Sequence, residues 1–145
     1  LYLYGPVNPS LEALINDIGL QQIVFVKGEV SQEVLSKAIQ QSEALILYSR
    51  FETFGCVLIE ANACGVPVIV SDLQVFHEII EEGVNGIFAE GENPAALAEK
   101  LRQFINQKDH FNKTAMAATT AEKYNYKKVG QQFIEKYKKT AAISA

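Results

Sequence analysis

The chain has 145 residues, about the size of one domain, and its hydrophobic content of 48% is enough for a sizeable core. The charged content of 21% is too low for disorder, and no apolar run approaches the roughly 18 residues of a membrane span, so we expect a soluble protein. The net charge of −4 argues against nucleic acid as the main ligand.

Short apolar runs alternate with amphipathic stretches along most of the chain. Five of the runs are candidate strands, and several are apolar on both faces, which is typical of parallel strands buried on both sides. These candidates lie at residues 1–4, 23–26, 44–48, 68–70 and 86–88.

Helix signals fall between these runs and continue after the last of them. Helices are predicted to begin near residues 9, 31, 55, 75, 94, 111 and 125. Strand–helix alternation with short links predicts an α/β fold, a Rossmann-like doubly wound parallel sheet with helices on both faces. We expect residues 1–120 to form this domain and residues 121–145 to form a C-terminal helix that belongs to it. Because the chain opens inside a strand pattern without methionine, we expect a piece of a longer protein.

The two cysteines, Cys56 and Cys64, are eight residues apart. On one helix they would lie about 12 Å apart along its axis, which is too far for a disulfide. We expect both to be reduced core residues, as in a cytoplasmic protein.

Positive charge is concentrated at the C-terminal end. Residues 121–145 hold six lysines and two glutamates, a charge of +4, which leaves −8 for the rest of the chain. Two interpretations stay open for this basic segment: it docks on an acidic surface or lipid headgroups, or it is the solvated face of a terminal helix.

The segment at residues 49–72 follows the third strand candidate, at the edge where open α/β sheets bind ligands. Its helix begins near Gly55, and the free backbone N–H groups of Gly55, Cys56 and Val57 favour an anion such as phosphate. Such a helix start alone is a weak signal, because every α/β fold has several.

Two acidic residues near this helix start make the prediction of an anion site more specific. Glu60 lies on an otherwise apolar helix, where it either accepts hydrogen bonds from two vicinal sugar hydroxyls or pairs internally with a lysine or arginine. Glu52 either accepts hydrogen bonds beside the anion or only interacts with the helix N-terminus, with Thr53 as the N-cap. Carboxylates on both sides of an anion site fit a ribose, a diphosphate and a sugar, which together make a nucleotide sugar.

The spacing E-x7-E, from Glu52 to Glu60, is followed by Gly-Val-Pro-Val at residues 65–68, then Glu78 and Gly86. This pattern resembles the C-terminal, donor-binding domain of GT-B retaining glycosyltransferases of the glycogen-synthase-like family 4. The resemblance covers roughly residues 1–106 and includes the stretch VFVKGEV at residues 24–30.

The resemblance implies a role for each matching residue. Glu60 would bind the ribose hydroxyls of the donor, and Glu52, as the catalytic residue, would face the hydroxyls of the donor sugar. Backbone groups would contact the sugar and diphosphate at Thr53, Phe54, Gly55, Cys56 and Val57, and the base at Lys27, Gly28 and Val30. Lys27 alone is weak evidence for such a contact, because an exposed lysine at the end of a strand explains it without a ligand.

The resemblance also implies partners. The donor would be a UDP-, GDP- or ADP-sugar, with no cofactor and no metal. The family's basic pair for the diphosphate, and its acceptor-binding N-terminal domain, would precede Leu1. The isolated chain would therefore bind a nucleotide weakly and transfer nothing. The full-length enzyme would be a cytoplasmic hexosyltransferase of glycan biosynthesis, and its last helix would cross back to the N-terminal domain, leaving apolar surface exposed here. Contact of the full-length enzyme with the inner face of a membrane is one of the two interpretations of the basic C-terminal segment. The alternative is a non-catalytic Rossmann-like binding or assembly module.

His77 and His110 are the only histidines, and they are too far apart in the sequence for metal-ligand spacing, so we expect no metal site. Glu78 matches the glutamate that the resembled family has near its donor. Its other interpretation is an acid in the first turn of a helix at residues 75–82.

Overall fold

The computed structural model describes the backbone of residues 1–143 and the side chains as far as residue 140. The chain divides into two compact units, Leu1–Ala38 and Ile39–Ala145. The predicted division at residue 120 stays a prediction, and residues 144 and 145 of its second part lie outside the described residues.

The first unit is built around two parallel strands. Strand β1 (Tyr2–Tyr4) pairs with β2 (Phe25–Gly28), and helix α1 (Pro9–Asp17) connects them. Helix α2 (Gln32–Gln40) follows β2 and ends in the second unit.

The second unit holds a three-stranded parallel sheet in the order β3-β4-β5, with β4 buried along its whole length. Helix α3 connects β3 to β4, and three further helices follow β5. The elements are β3 (Leu45–Leu47), α3 (Cys56–Ala63), β4 (Val68–Ser71), β5 (Gly86–Ala89), α4 (Pro94–Gln107), α5 (Lys113–Lys123) and α6 (Tyr126–Ile143).

Apolar side chains from the sheet and from the helices that follow it form the core of this unit. Ile69 of β4 and Ile87 of β5 are adjacent in register and pack with Phe104, Phe111 and Met116. The predicted α/β class, with parallel strands flanked by helices, is confirmed, and each predicted strand lies within two residues of an observed one.

The predicted helix at residues 75–82 is wrong, because only a 3-10 helix, Gln74–Glu78, forms there. The side chain of Asn85 holds the following residues in a turn. Its amide oxygen accepts the Glu81 N–H at 2.7 Å, and its amide nitrogen donates to the Ile79 carbonyl at 3.0 Å. Residues 79–85 therefore satisfy their backbone groups without continuing a helix.

The two cysteines are free, but the prediction that both are core residues is wrong for Cys56, which is exposed. Cys56 is the first residue of α3, at the open end of the helix. Cys64 is half-buried.

The last helix, α6, leaves its apolar stripe exposed. The exposed fractions are 98% for Tyr126, 62% for Phe133 and 73% for Tyr137. This exposure agrees with the prediction for the terminal helix. Within the described residues, no helix is both long and apolar enough to cross a membrane.

Glu43, just before β3, joins two lysines that follow α4. One carboxylate oxygen lies 3.1 Å from the Lys108 ammonium and the other 3.6 Å from that of Lys113. The hydrogen bond from Lys108 and its charge, followed by the charge of Lys113, lower the pKa of Glu43 from its ordinary value of 4.5.

We expect this pair of contacts to make stability pH-dependent on the acid side. Because the pKa of Glu43 is lowered by folding, its contribution is complete above the unfolded-state pKa and is lost as the pH falls through the lowered one. The variant Glu43→Gln should therefore lose unfolding free energy at pH 7 and lose less at pH 3, in denaturant titrations at both values. Glu135 is exposed and has no ion pair among the described side chains, so it supplies the control Glu135→Gln, which should show no such difference. Equal losses for Glu43→Gln at both values would contradict the assignment.

Candidate functional site

The loop at residues 49–54 is anchored at its start by a buried hydroxyl. Ser71, fully buried at the end of β4, donates to the Ser49 carbonyl at 2.7 Å and accepts the Ser49 N–H at 3.1 Å. The end of β3 is thereby fixed to the end of β4, at the edge predicted to bind a ligand. Ser71 is not among the residues predicted for the site, although a single polar residue closing an apolar strand is a signal for such a role.

Gly55 makes the turn from this loop into α3. It is the N-cap residue and has a left-handed backbone, with φ +84° and ψ 52°. A Cβ atom there would lie 2.9 Å from the Phe76 ring and 3.1 Å from a methyl carbon of Leu58. Both the backbone angle and the lack of space therefore require glycine.

The interpretation of Thr53 as the N-cap is wrong, because Gly55 occupies that position and no side chain caps the helix. Thr53 is exposed, and Phe54 is 38% exposed. Both lie in the loop, one and two residues before the cap.

Helix α3 differs from every other α-helix of the described residues at its N-terminus. Each of the others has a side chain that accepts a first-turn N–H group: Asn8, Ser31, Asn93, Asn112 and Asn125. In the described part of the chain, the N–H groups of Gly55, Cys56 and Val57 have no acceptor. Because these donors lie at the positive end of the helix dipole, the first turn of α3 is open to an anion.

Glu52 and Glu60 differ from all other acids of the chain in their burial. Each is half-buried, whereas every other aspartate and glutamate is exposed. The interpretation of Glu60 as half of an internal ion pair is wrong, since no lysine or arginine within residues 1–143 pairs with it. Glu52 likewise has no ion pair or side-chain hydrogen bond in this range. Their oxygens reach solvent, since the described residues contain no sealed, unpartnered side-chain oxygen.

The 3-10 helix after β4 packs against the start of α3. Phe76 is fully buried against Gly55. The next residue, His77, lies 2.7 Å from an Asp72 carboxylate oxygen, and its ring stacks on Phe88 at 4.2 Å. Glu78 ends this 3-10 helix and is exposed, so its interpretation as a first-turn acid is wrong.

The residues predicted to meet a base belong to the first unit. Lys27 is exposed on β2, and its ammonium lies 5.2 Å from the centre of the Tyr2 ring. Gly28 has a φ of +71°, and Val30 is half-buried. Their contact with a base stays a prediction.

Two cavities of the second unit, of about 460 and 270 Å³, lie away from the two acids, since neither cavity is lined by Glu52 or Glu60.

Comparison with known families identifies the chain. The model of the family "Glycosyl transferases group 1" matches residues 1–124. The D-inositol 3-phosphate glycosyltransferase of Paenarthrobacter aurescens (strain TC1) is 26% identical over 141 residues, which cover 97% of this chain and 35% of the relative. The alpha-D-kanosaminyltransferase of Streptomyces kanamyceticus is 28% identical over 136 residues, covering 92% and 35%.

Solved structures share the fold. The Anabaena protein Alr3699/HepE in complex with UDP and glucose is 23% identical, with a TM-score of 0.83 over 95% of this chain and 40% of its own. The sucrose-phosphate synthase of Thermosynechococcus elongatus is 22% identical, with a TM-score of 0.85 over 99% and 39%. The chain thus spans about a third of the length of its curated relatives. The resemblance to the C-terminal domain of GT-B enzymes is confirmed, and the chain belongs to the group 1 glycosyl transferases.

Proposed function

We propose that this chain is the donor-binding half of a retaining glycosyltransferase, which transfers a sugar from a nucleoside diphosphate sugar to an acceptor hydroxyl. The observation that supports this most directly is that Glu52 and Glu60 are half-buried and lack partners. They are the two acids of the chain that are not exposed, and neither has a partner among residues 1–143. A half-buried carboxylate without a partner loses solvation and gains nothing inside the protein, so a ligand that donates hydrogen bonds to it explains its position.

The start of α3 is suited to bind the diphosphate of the donor. Its first-turn N–H groups lack the side-chain cap that the other helices have. The diphosphate would lie against Gly55, Cys56 and Val57. As the bond to the sugar breaks, these donors would stabilise the negative charge of the departing diphosphate.

The spacing of the two acids supports a role for each at an opposite end of one donor molecule. Glu60, one turn into α3, would accept hydrogen bonds from the ribose hydroxyls. Glu52, in the loop before the helix, would accept them from the donor sugar and hold its anomeric carbon next to the acceptor hydroxyl, while Thr53 and Phe54 offer backbone groups. Retention of the anomeric configuration is proposed from the family resemblance alone.

UDP is the favoured nucleotide, because a structural neighbour was solved with UDP and glucose, while GDP and ADP remain alternatives. Contact of the base with Lys27, Gly28 and Val30 is proposed from the family resemblance alone. The acceptor and a basic pair for the diphosphate would come from the N-terminal part of a longer protein. Neither a metal nor a cofactor is proposed.

We also propose that the intact enzyme acts in the cytoplasm in glycan biosynthesis and contacts the inner face of a membrane. The lysine-rich helix α6, with exposed Phe133 and Tyr137, supports such a contact.

Titration of the ¹⁵N-labelled chain with UDP, GDP and ADP, followed by NMR, tests the proposal. We expect weak binding, with the largest amide shifts at Gly55, Cys56 and Val57. Uridine, which lacks the phosphates, should leave these three amides unchanged. With UDP-glucose, the isolated chain should transfer no sugar to any acceptor.

Two outcomes would contradict the proposal. Nucleotide binding that leaves these three amides unchanged would exclude the diphosphate from α3. No binding of any of the three nucleotides would favour a non-catalytic binding or assembly module instead.

A further inference from the structure

The larger cavity of the second unit, about 460 Å³, lies between α3, α5 and the turn at residues 79–85. None of the residues proposed to bind the donor lines it. Its volume is within the range of cavities that hold small ligands.

A buried amide faces this cavity with one atom unused. Asn62 is 1% exposed, and its amide nitrogen donates to the Val66 carbonyl at 3.1 Å and the Asn85 carbonyl at 3.0 Å. These bonds fix the orientation of the amide, and no donor within residues 1–143 reaches its oxygen. The described residues contain no sealed side-chain oxygen without a partner, so the Asn62 oxygen keeps some access to solvent. Because Asn62 lines the cavity, we infer that this access is from the cavity. The cavity therefore presents a preoriented acceptor.

A second polar group lies on α5. Thr120 is 7% exposed and also lines the cavity, and its hydroxyl has no hydrogen-bond partner in the described part of the chain. By the same argument this hydroxyl opens to the cavity. A ligand with hydroxyl groups can donate to Asn62 and both donate to and accept from Thr120.

The rest of the lining disfavours an anionic ligand. Ile79, Ile80 and Met116 supply an apolar wall, and the half-buried Tyr124 supplies an aromatic one. The charged residues Glu78, Glu81 and Lys123 leave a net negative charge. Lys123 is already engaged, because its ammonium donates to the Glu78 carbonyl at 3.3 Å and lies 5.0 Å from the Tyr124 ring centre.

We propose that this cavity is a second carbohydrate site, which binds one neutral sugar ring away from the donor site. Asn62 and Thr120 would bind hydroxyl groups of the ring, and the apolar wall would cover its C–H face. In a glycosyltransferase, such a site would hold a sugar unit of a glycan without reacting with it.

The test is an NMR titration of the 145-residue chain with D-glucose, D-galactose and myo-inositol. We expect dissociation constants on the order of 1–10 mM for at least one sugar. The largest shifts should occur at the Asn62 side-chain amide and at Thr120. Saturating UDP should leave this binding unchanged.

Variants of α5 separate the cavity from the rest of the surface. Ala115→Phe fills the cavity and should weaken sugar binding by more than about tenfold, while Thr120→Val, which removes one hydroxyl, should weaken it about two- to tenfold. The matched control is Ala118→Phe, because Ala118 is exposed on the same helix and does not line the cavity. Neither phenylalanine variant should change UDP binding, which also shows that each one is folded.

Three results would overturn this proposal. The first is the absence of binding for all three sugars at about ten times the expected dissociation constants. The second is equal weakening by Ala115→Phe and Ala118→Phe. The third is displacement of the sugar by UDP, which would place it in the donor site and leave the proposed function intact.

Discussion

Replacing Glu60 by alanine should weaken UDP binding about 10- to 150-fold. The physical reason is the loss of a charged acceptor for the ribose hydroxyls, since a hydrogen bond to a charged group contributes about 1.5–3 kcal/mol. Glu60→Gln keeps the shape and one acceptor oxygen, so it should lie between the wild type and Glu60→Ala. Isothermal titration calorimetry with UDP measures both variants.

The same substitution should not reduce the stability of the fold. Glu60 is half-buried and has no partner within residues 1–143, so alanine removes no internal hydrogen bond and adds a better helix former. We therefore expect Glu60→Ala to keep or slightly raise the free energy of unfolding in urea while it loses UDP. Loss of ligand binding without loss of stability is typical of a residue that serves the ligand and not the fold.

The matched control is Glu135→Ala, because Glu135 is also an unpaired helical glutamate but is exposed on α6. It should change neither UDP binding nor stability. The proposal for Glu60 would fail if Glu60→Ala bound UDP like the wild type, or if its loss of binding followed from unfolding.

The sequence predicted the fold well because its signals are local. Pro9 after Asn8 and Pro94 after Asn93 mark helix starts that the structure shows with asparagine caps. The apolar run at residues 68–70 is β4, whose burial on both faces explains why it has no polar alternation.

Local signals failed where a distant side chain decides the outcome. The helix predicted at residues 75–82 ends early because Asn85 binds the backbone of Ile79 and Glu81. Thr53 has a good capping side chain, but the turn is made at Gly55, where Phe76 and Leu58 leave no room for a Cβ atom. Neither contact is visible in the spacing of residues along the chain.

The candidate site was partly predictable for the same reason. Glu52 and Glu60 were found from their spacing and from the apolar helix around Glu60. What the spacing left open was whether Glu60 pairs internally, because that depends on which lysines and arginines the fold brings near it. The structure answers this, and it adds Ser71 and Phe76 as supports that no motif predicted.

Replacing Gly55 by alanine should damage both stability and nucleotide binding. A left-handed backbone costs an L-residue about 1–2 kcal/mol, and overpacking of buried side chains costs about 1–3 kcal/mol more. Phe76 and Leu58, which the new Cβ would meet at 2.9 and 3.1 Å, are fully buried and have little room to move. We expect a loss of about 2–5 kcal/mol in the free energy of unfolding, measured in urea.

Alanine variants of two other glycines separate the cost of the left-handed backbone from the cost of overpacking. Gly83 has a φ of +76° with open space around its position, so Gly83→Ala should show the backbone cost alone. Gly130, in the middle of α6, has neither a positive φ nor a close neighbour, so Gly130→Ala should stabilise by roughly 0.5–1 kcal/mol. The order of unfolding free energies should therefore be Gly130→Ala, wild type, Gly83→Ala, Gly55→Ala.

Nucleotide binding should follow a different order, because only Gly55 holds the first turn of α3. At a temperature where all variants are folded, Gly55→Ala should bind UDP more weakly than Gly83→Ala, which should match the wild type. If Gly55→Ala were destabilised but bound UDP normally, glycine would be needed at this turn for packing alone. The anion would then have to bind elsewhere than at the N–H groups of Cys56 and Val57, and the proposed orientation of the donor along Glu52 and Glu60 would have to be abandoned.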